Sequence, residues 1–291
     1  MNETILTLDE SIQILSIGCI LMFFTSFLAW KNGYYELPKD YADEPKLSLK
    51  VVIISFLIFL STSIVIVPLI FVLTLYILQG NLDLTTAHLV LINTLSIAVT
   101  FLAFGIFFLF LSVENRKLIL GKLFGPKIGF NKTIKDISMG ILSWFISFPV
   151  VLVAGKLIGI IFELLGIEVI VNQVAVEQVK AALSSKPLFI SIALGIVFFV
   201  PIIEEFLFRG CLQTWIKGKV GVKKAILLTS LVFAFFHFSL SQGLGNIELL
   251  ASLFILSCFL GLIYEKQQSL LASISLHAFF NAVTVLMIAL S

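Results

Sequence analysis

Charge is scarce in this chain. Of 291 residues, 12% are Asp, Glu, Lys or Arg and 59% are hydrophobic, with a mean hydropathy of +1.13. Soluble domains average about 25% charged and about 45–50% apolar residues, so there is too little charge here to cover a water-facing surface. A membrane protein is implied. The net charge of +2 is too small for a nucleic-acid footprint, and the basic residues fall in short connections, which excludes nucleic acid as a partner. Cys19, Cys211 and Cys258 lie in or beside apolar runs without C-x-x-C spacing. That pattern excludes a zinc ribbon and a disulfide framework and reads as small core residues. No H-E-x-x-H occurs, and no Ser or Cys sits in a recognisable nucleophile arrangement. Low-complexity segments and useful internal repeats are also missing, which counts against a proton-coupled transporter built from paired repeats.

Long charge-free runs are what the sequence does have. A helix needs about 20 apolar residues to cross roughly 30 Å of hydrocarbon. Runs at 11–30, 51–82, 84–113, 137–155, 187–203, 225–247, 249–264 and 267–291 reach or approach that length. The expected fold is therefore all-α: a polytopic membrane protein, a bundle of about eight transmembrane helices. Alternate connections hold fifteen Lys and Arg against two, and cytoplasmic loops keep most such residues. Both termini are thus expected outside. The first ten residues include Glu3, Asp9 and Glu10 and no basic residue, so helix one is expected to be retained rather than cleaved as a signal peptide.

Two connections invite a second reading. In 163–186, Ile167, Ile170, Val171, Val174, Val176, Val179 and Leu183 fall mostly at three- and four-residue spacing, an amphipathic pattern. It fits an interfacial helix on the outer leaflet or a lid over a cavity. Lys122, Lys127, Lys132 and Lys135 act as a topology signal or as a site for anionic headgroups.

Ionisable groups inside helices are the informative anomaly, because each costs about 2.5–3.5 kcal/mol at mid-membrane on insertion scales. Helix five runs into Glu204-Glu205-Phe206-Leu207-Phe208-Arg209. Glu205 and Arg209 stand at i and i+4 with the acid first, the better order for a helical ion pair. Glu204 points about 100° away and lacks a local partner, unless it snorkels to water at the interface. His237 lies within apolar helix six, and His277 precedes Asn281 by one turn of helix eight, on one face. Each is open to a reading as a helix-packing hydrogen bonder. Together, a carboxylate, two imidazoles and a carboxamide supply a base for water, a proton carrier and donors for an oxyanion.

These residues resemble the glutamate-type CAAX prenyl endopeptidases, the CAAX protease and bacteriocin-processing family. Its motifs E-E-x-x-x-R, F-x-x-x-H and H-x-x-x-N read here as Glu204-Glu205-x-x-x-Arg209, Phe233-x-x-x-His237 and His277-x-x-x-Asn281. The resemblance covers 187–291 as a catalytic core and leaves the helices and amphipathic connection of 1–186 unassigned. It implies an intramembrane endopeptidase in which Glu204 and His237 activate water, His277 and Asn281 stabilise the oxyanion, and Glu205 with Arg209 orders the site. The implied partners are membrane lipid and a membrane-associated peptide, either a prenylated CAAX-type C-terminus or a bacteriocin-leader type. No cofactor is implied, although Glu204, His237 and His277 also make a possible zinc set of two His and one carboxylate; the zinc-free scheme accounts better for Asn281. A non-catalytic scaffold or bacteriocin-immunity protein of the same fold is the other reading.

Both His residues are expected roughly 15–18 Å deep from the cytoplasmic side, at 1.5 Å per residue, with a cleft opening toward the cytoplasm or its leaflet. Glu204 is expected within about 10 Å of both imidazoles. Helices five, six and eight are expected to be neighbours, with helix seven outside the polar cluster.

Overall fold

A computed structural model describes residues 8–38, 47–125, 129–167 and 174–290. Glu3, Lys127, Ile170 and Val171, named above, lie outside the described residues. Among the described residues the chain is all-α and strand-free. Seven helices are long and apolar enough to cross a membrane: α1 (Leu8–Lys31), α2 (Leu49–Gln79), α3 (Thr86–Phe110), α5 (Phe130–Leu164), α7 (Lys186–Val220), α9 (Gly245–Gln267) and α10 (Leu270–Leu290). Between them lie the shorter α4 (Val113–Phe124), α6 (Val174–Ala182) and α8 (Val222–Phe235). The chain is a multi-pass membrane protein.

Seven helices among the described residues are this long where about eight are expected, and the difference falls on the sixth run. Helix α8 stops at Phe235, and a loop with a single 3-10 turn at Leu240–Gln242 leads into α9. A break at membrane depth needs its backbone groups satisfied by protein, and Asn246 does this. Its Nδ2 donates to the carbonyls of Ser239 (2.7 Å) and Gly243 (2.9 Å), and its Oδ1 accepts from the Ser239 N–H at 2.9 Å. Helix α8 runs antiparallel to α9, with Ile226 against Gly261, so helix and loop together carry the chain back along the bundle. Glu248, expected in a connection, consequently lies in the first turn of α9.

The fifth run also extends further than its apolar stretch. Helix α7 continues through Glu204, Glu205 and Arg209 to Val220, so Glu204 sits mid-helix rather than at a water-facing end. Proline shapes both α7 and α2. Each contains a π-helical stretch, Gly195–Phe199 before Pro201 and Ser61–Ile66 before Pro68. The i→i+5 donors for the carbonyls of Ile196 and Ser63 would be Pro201 and Pro68, which have no N–H. Two mid-helix carbonyls are thereby released for other partners.

Helix α5 is central and packs against α1, α9 and α10, which joins the unassigned N-terminal part to the C-terminal part. Its crossing with α10 is close because Gly140 has no side chain: a Cβ there would collide with the Ala272 carbonyl and stand 2.8 Å from the Ser275 Cβ. Backbone cannot yield as a flexible side chain does. Gly140→Val should therefore cost at least the about 1–3 kcal/mol of an overpacked core, seen as a lower melting temperature and a smaller monodisperse peak in detergent. Unchanged melting would contradict the close crossing.

Helix α6 lies against the bundle. Ala182 is buried with Val90 of α3 and Ile192 of α7, Val179 is buried over the cavity below, and Asn93 Nδ2 donates to Gln178 Oε1 at 2.6 Å. Within the described part of this connection, Val179 and Ala182 are thus turned to protein while Leu183 is exposed.

Candidate active site

The polar cluster begins on α7. Glu205 and Arg209, one turn apart, form an ion pair at 2.9 Å with both side chains fully buried. Such a pair holds in a low-dielectric interior only when its remaining groups find partners. Helix α9 provides them: Arg209 Nη2 donates to the Ser257 carbonyl at 3.0 Å and to Ser257 Oγ at 2.6 Å. The guanidinium also lies 4.8 Å from the centroid of the Phe233 ring, a cation–π contact. The expectation for helix seven is refined here, since α9 adds no titratable group beside Glu204 yet seats the arginine behind it.

Glu205 has a second duty. Its Oε1 also accepts from His277 Nδ1 of α10 at 2.9 Å. His237 stands just past the end of α8, not inside a helix as expected, and its Nδ1 lies 2.9 Å from the Phe233 carbonyl. A carbonyl can only accept, so that Nδ1 carries the proton and donates. Phe233 thus serves its motif twice: its carbonyl fixes His237, and its ring lies 6.0 Å from that of His277, where α8 meets α10.

With both Nδ1 atoms engaged, both Nε2 atoms face the remaining carboxylate. Glu204 Oε1 is 3.9 Å from His237 Nε2, and Glu204 Oε2 is 3.9 Å from His277 Nε2. These separations exceed a direct hydrogen bond and suit one bridging oxygen. Glu204 Oε2 is buried without a hydrogen-bond partner. Side-chain exposure is 6% for His277, 15% for Glu204 and 32% for His237, so the cluster opens on the His237 side. Among the described residues, no three His, Cys, Asp or Glu side chains are grouped as a metal cluster.

Asn281 reaches α7 at a different point. Its Nδ2 donates to the Ile196 carbonyl at 2.8 Å, the one that Pro201 leaves unpaired. One amide hydrogen is thereby committed and the other remains. Asn281 also lines a cavity of about 350 Å3 beneath α6, whose charged lining groups are Lys156 and Glu248. A second cavity, of about 280 Å3, lies between α3, α4, α7 and α10. Phe104, Phe108, Ile203, Phe206 and Leu270 are among its walls, and no polar side chain lines it. Of the cysteines, Cys211 is buried, Cys19 and Cys258 are half-buried, and all three are free.

A partly buried Glu-His-His cluster with a buried ion pair behind it, held among long apolar helices, defines a helical membrane protein with titratable side chains at its centre. The family model described as type II CAAX prenyl endopeptidase Rce1-like matches residues 186–283, the part of the chain that carries this cluster. No curated protein and no solved structure matches the chain.

Proposed function

We propose that the chain is an intramembrane endopeptidase that cleaves a membrane-associated peptide with water activated by Glu204 and His237. The observation that carries this reading is the position of Glu204 between two imidazole Nε2 atoms, 3.9 Å from each. A water held there gives a proton to Glu204 while its oxygen attacks the scissile carbonyl carbon. His237, whose Nε2 bears a lone pair because Nδ1 holds the proton, shares that proton and passes it to the leaving nitrogen as the C–N bond breaks. His277 Nε2 can donate to the oxyanion only in the doubly protonated ring, whose charge Glu205 balances through Nδ1. The free hydrogen of Asn281 is the second oxyanion donor.

We read the chemistry as metal-free. Zinc at 2.0–2.1 Å from tetrahedral N and O ligands would set them about 3.3 Å apart, closer than the 3.9 Å between Glu204 and each imidazole. Substrate class follows from the cavity of about 280 Å3, wholly apolar in its side chains and flanking Glu204 through Ile203 and Phe206. It suits a lipid chain, which favours a prenylated C-terminal peptide over an unmodified leader. The test is release of the terminal tripeptide from a farnesylated CAAX peptide by the purified chain in liposomes, beside the same peptide without lipid and a sample treated with chelator. Cleavage of the lipidated peptide that survives chelation is expected. Loss of activity on chelation would restore the zinc reading, and equal cleavage of both peptides would remove the lipid preference.

Topology is proposed from the basic residues, fifteen of which lie in one alternate set of connections. Both termini then face outside and the site is approached from the cytoplasm. Cysteines introduced at Asn2 and Asn172 should react with an impermeant reagent outside intact cells, and one at Gly125 should not. The opposite pattern would invert the orientation.

A further inference from the structure

A third cavity, of about 170 Å3, adjoins Glu204 from the N-terminal helices. Phe59 and Ser63 of α2, Asn93, Ser96, Ile97 and Thr100 of α3, and Val200, Ile203 and Glu204 of α7 line it. Asn93, Ser96 and Thr100 follow one another at i, i+3 and i+7, a polar stripe along a helix that is otherwise mainly apolar. An apolar cavity of about 150 Å3 stays dry, but one with several polar partners takes water at roughly 30 Å3 per molecule.

The hydrogen-bond directions say what kind of guest fits. Thr62 Oγ1 donates to the Ile58 carbonyl at 2.7 Å. Thr100 must then donate to Thr62 (2.7 Å), and Ser63 to Thr100 (3.0 Å). Ser96 Oγ donates to the Ser63 carbonyl, and Asn93 gives one amide hydrogen to Gln178 of α6. Nearly every hydrogen is committed, while lone pairs on Ser63, Asn93 and Thr100 remain open. The Ser63 carbonyl, released by Pro68, receives a bond of only 3.5 Å from Ser96. At membrane depth such a carbonyl calls for a further donor. Beside it stands a carboxylate, another acceptor. A guest that brings hydrogens and fits a small space among oxygens is water.

We propose that this cavity is a water-binding site that supplies the hydrolytic water to Glu204 from the side of α2 and α3, with Ile203 in the wall between it and the apolar cavity assigned to the lipid chain. It gives the N-terminal helices, which lie outside the family match, a part in the site. The supply role rests on the protease reading given above; the hydration does not.

Radiolytic labelling of the full chain in liposomes made with heavy-oxygen water separates the two. Bound water oxidises the side chains beside it, so Ile97, buried at 8% exposure and lining this cavity but not the apolar one, should gain heavy oxygen at least about tenfold more than lipid-facing Leu102 of α3, as hydrated walls do and dry ones do not. Labelling equal to that of Leu102 means a dry cavity and ends the proposal, whether or not the chain cleaves peptides. Ser96→Leu fills the space and should remove the labelling; Asn93→Leu does the same from the α6 end if the first variant does not fold. With the farnesylated peptide as substrate, the filled variant should lose at least about tenfold in kcat with KM unchanged. Loss of labelling without loss of kcat would overturn the supply role.

Discussion

Glu204→Gln should lower kcat by about 10²–10⁴-fold, the usual contribution of a positioned general base, with the melting temperature unchanged or raised. Shape is conserved, and Glu204 Oε2 makes no hydrogen bond whose loss would destabilise the fold. The substitution also removes one of two adjacent carboxylates, Glu204 and Glu205, from a largely buried cluster. An amide cannot take the proton from water, and Glu204 is the carboxylate that both Nε2 atoms face. Peptide release by purified variant and parent, with thermal unfolding measured in parallel, gives the result. Near-parental turnover by Glu204→Gln would assign the base elsewhere. Lost turnover together with lost folding would show that the pairing of Glu204 with the two rings is structural.

Much of this arrangement was legible in the sequence because its signals are local or chemical. Apolar runs give the long helices, and the i, i+4 spacing of Glu205 and Arg209 gives their ion pair. The wheel angle that separates Glu204 from Glu205 makes Glu204 the carboxylate left over. What was not legible depends on contacts between helices or on backbone partners. The run 225–247 carries no charge, so a count of charge-free residues passes over its break after Phe235, although Ser239, Ser241, Gln242, Gly243 and Gly245 mark a turn-rich second half; the loop itself depends on Asn246 reaching back to Ser239. The bond from His277 to Glu205 spans α10 and α7, and the seat of Arg209 on Ser257 spans α7 and α9. No spacing rule predicts either. Two weaker signals could have been followed. Pro201 and Pro68 inside long apolar runs each announce a freed carbonyl, and Phe233 at i−4 from His237 places a carbonyl within reach of the ring. Helix α3 also carried its polar stripe at Asn93, Ser96 and Thr100, but without the partner helix it reads as scattered helix-packing groups.

Glu205→Ala should be the most damaging single change to the fold. Glu205 Oε1 accepts from both Arg209 Nη1 and His277 Nδ1, at 2.9 Å each. Removing it leaves a fully buried guanidinium beside Phe233, held only by Ser257. Breaking a buried pair on one side typically costs about 3–5 kcal/mol, a large part of the about 5–15 kcal/mol that stabilises a typical fold. Glu205→Ala is therefore expected to aggregate or to be recovered in small amounts, and lost activity would say little about chemistry. A paired variant separates the two effects. Glu205→Met with Arg209→Met removes both charges together and keeps apolar bulk, which commonly leaves stability near or above the parental level. The double variant should fold while His277 loses the acceptor that orients its ring. Its kcat should stay at least about 10²-fold below parental, as expected when an oxyanion donor is no longer aimed, with substrate KM little changed. Recovery of turnover along with folding would confine Glu205 to stability; a folded double variant that fails to turn over peptide would make it the residue that positions His277.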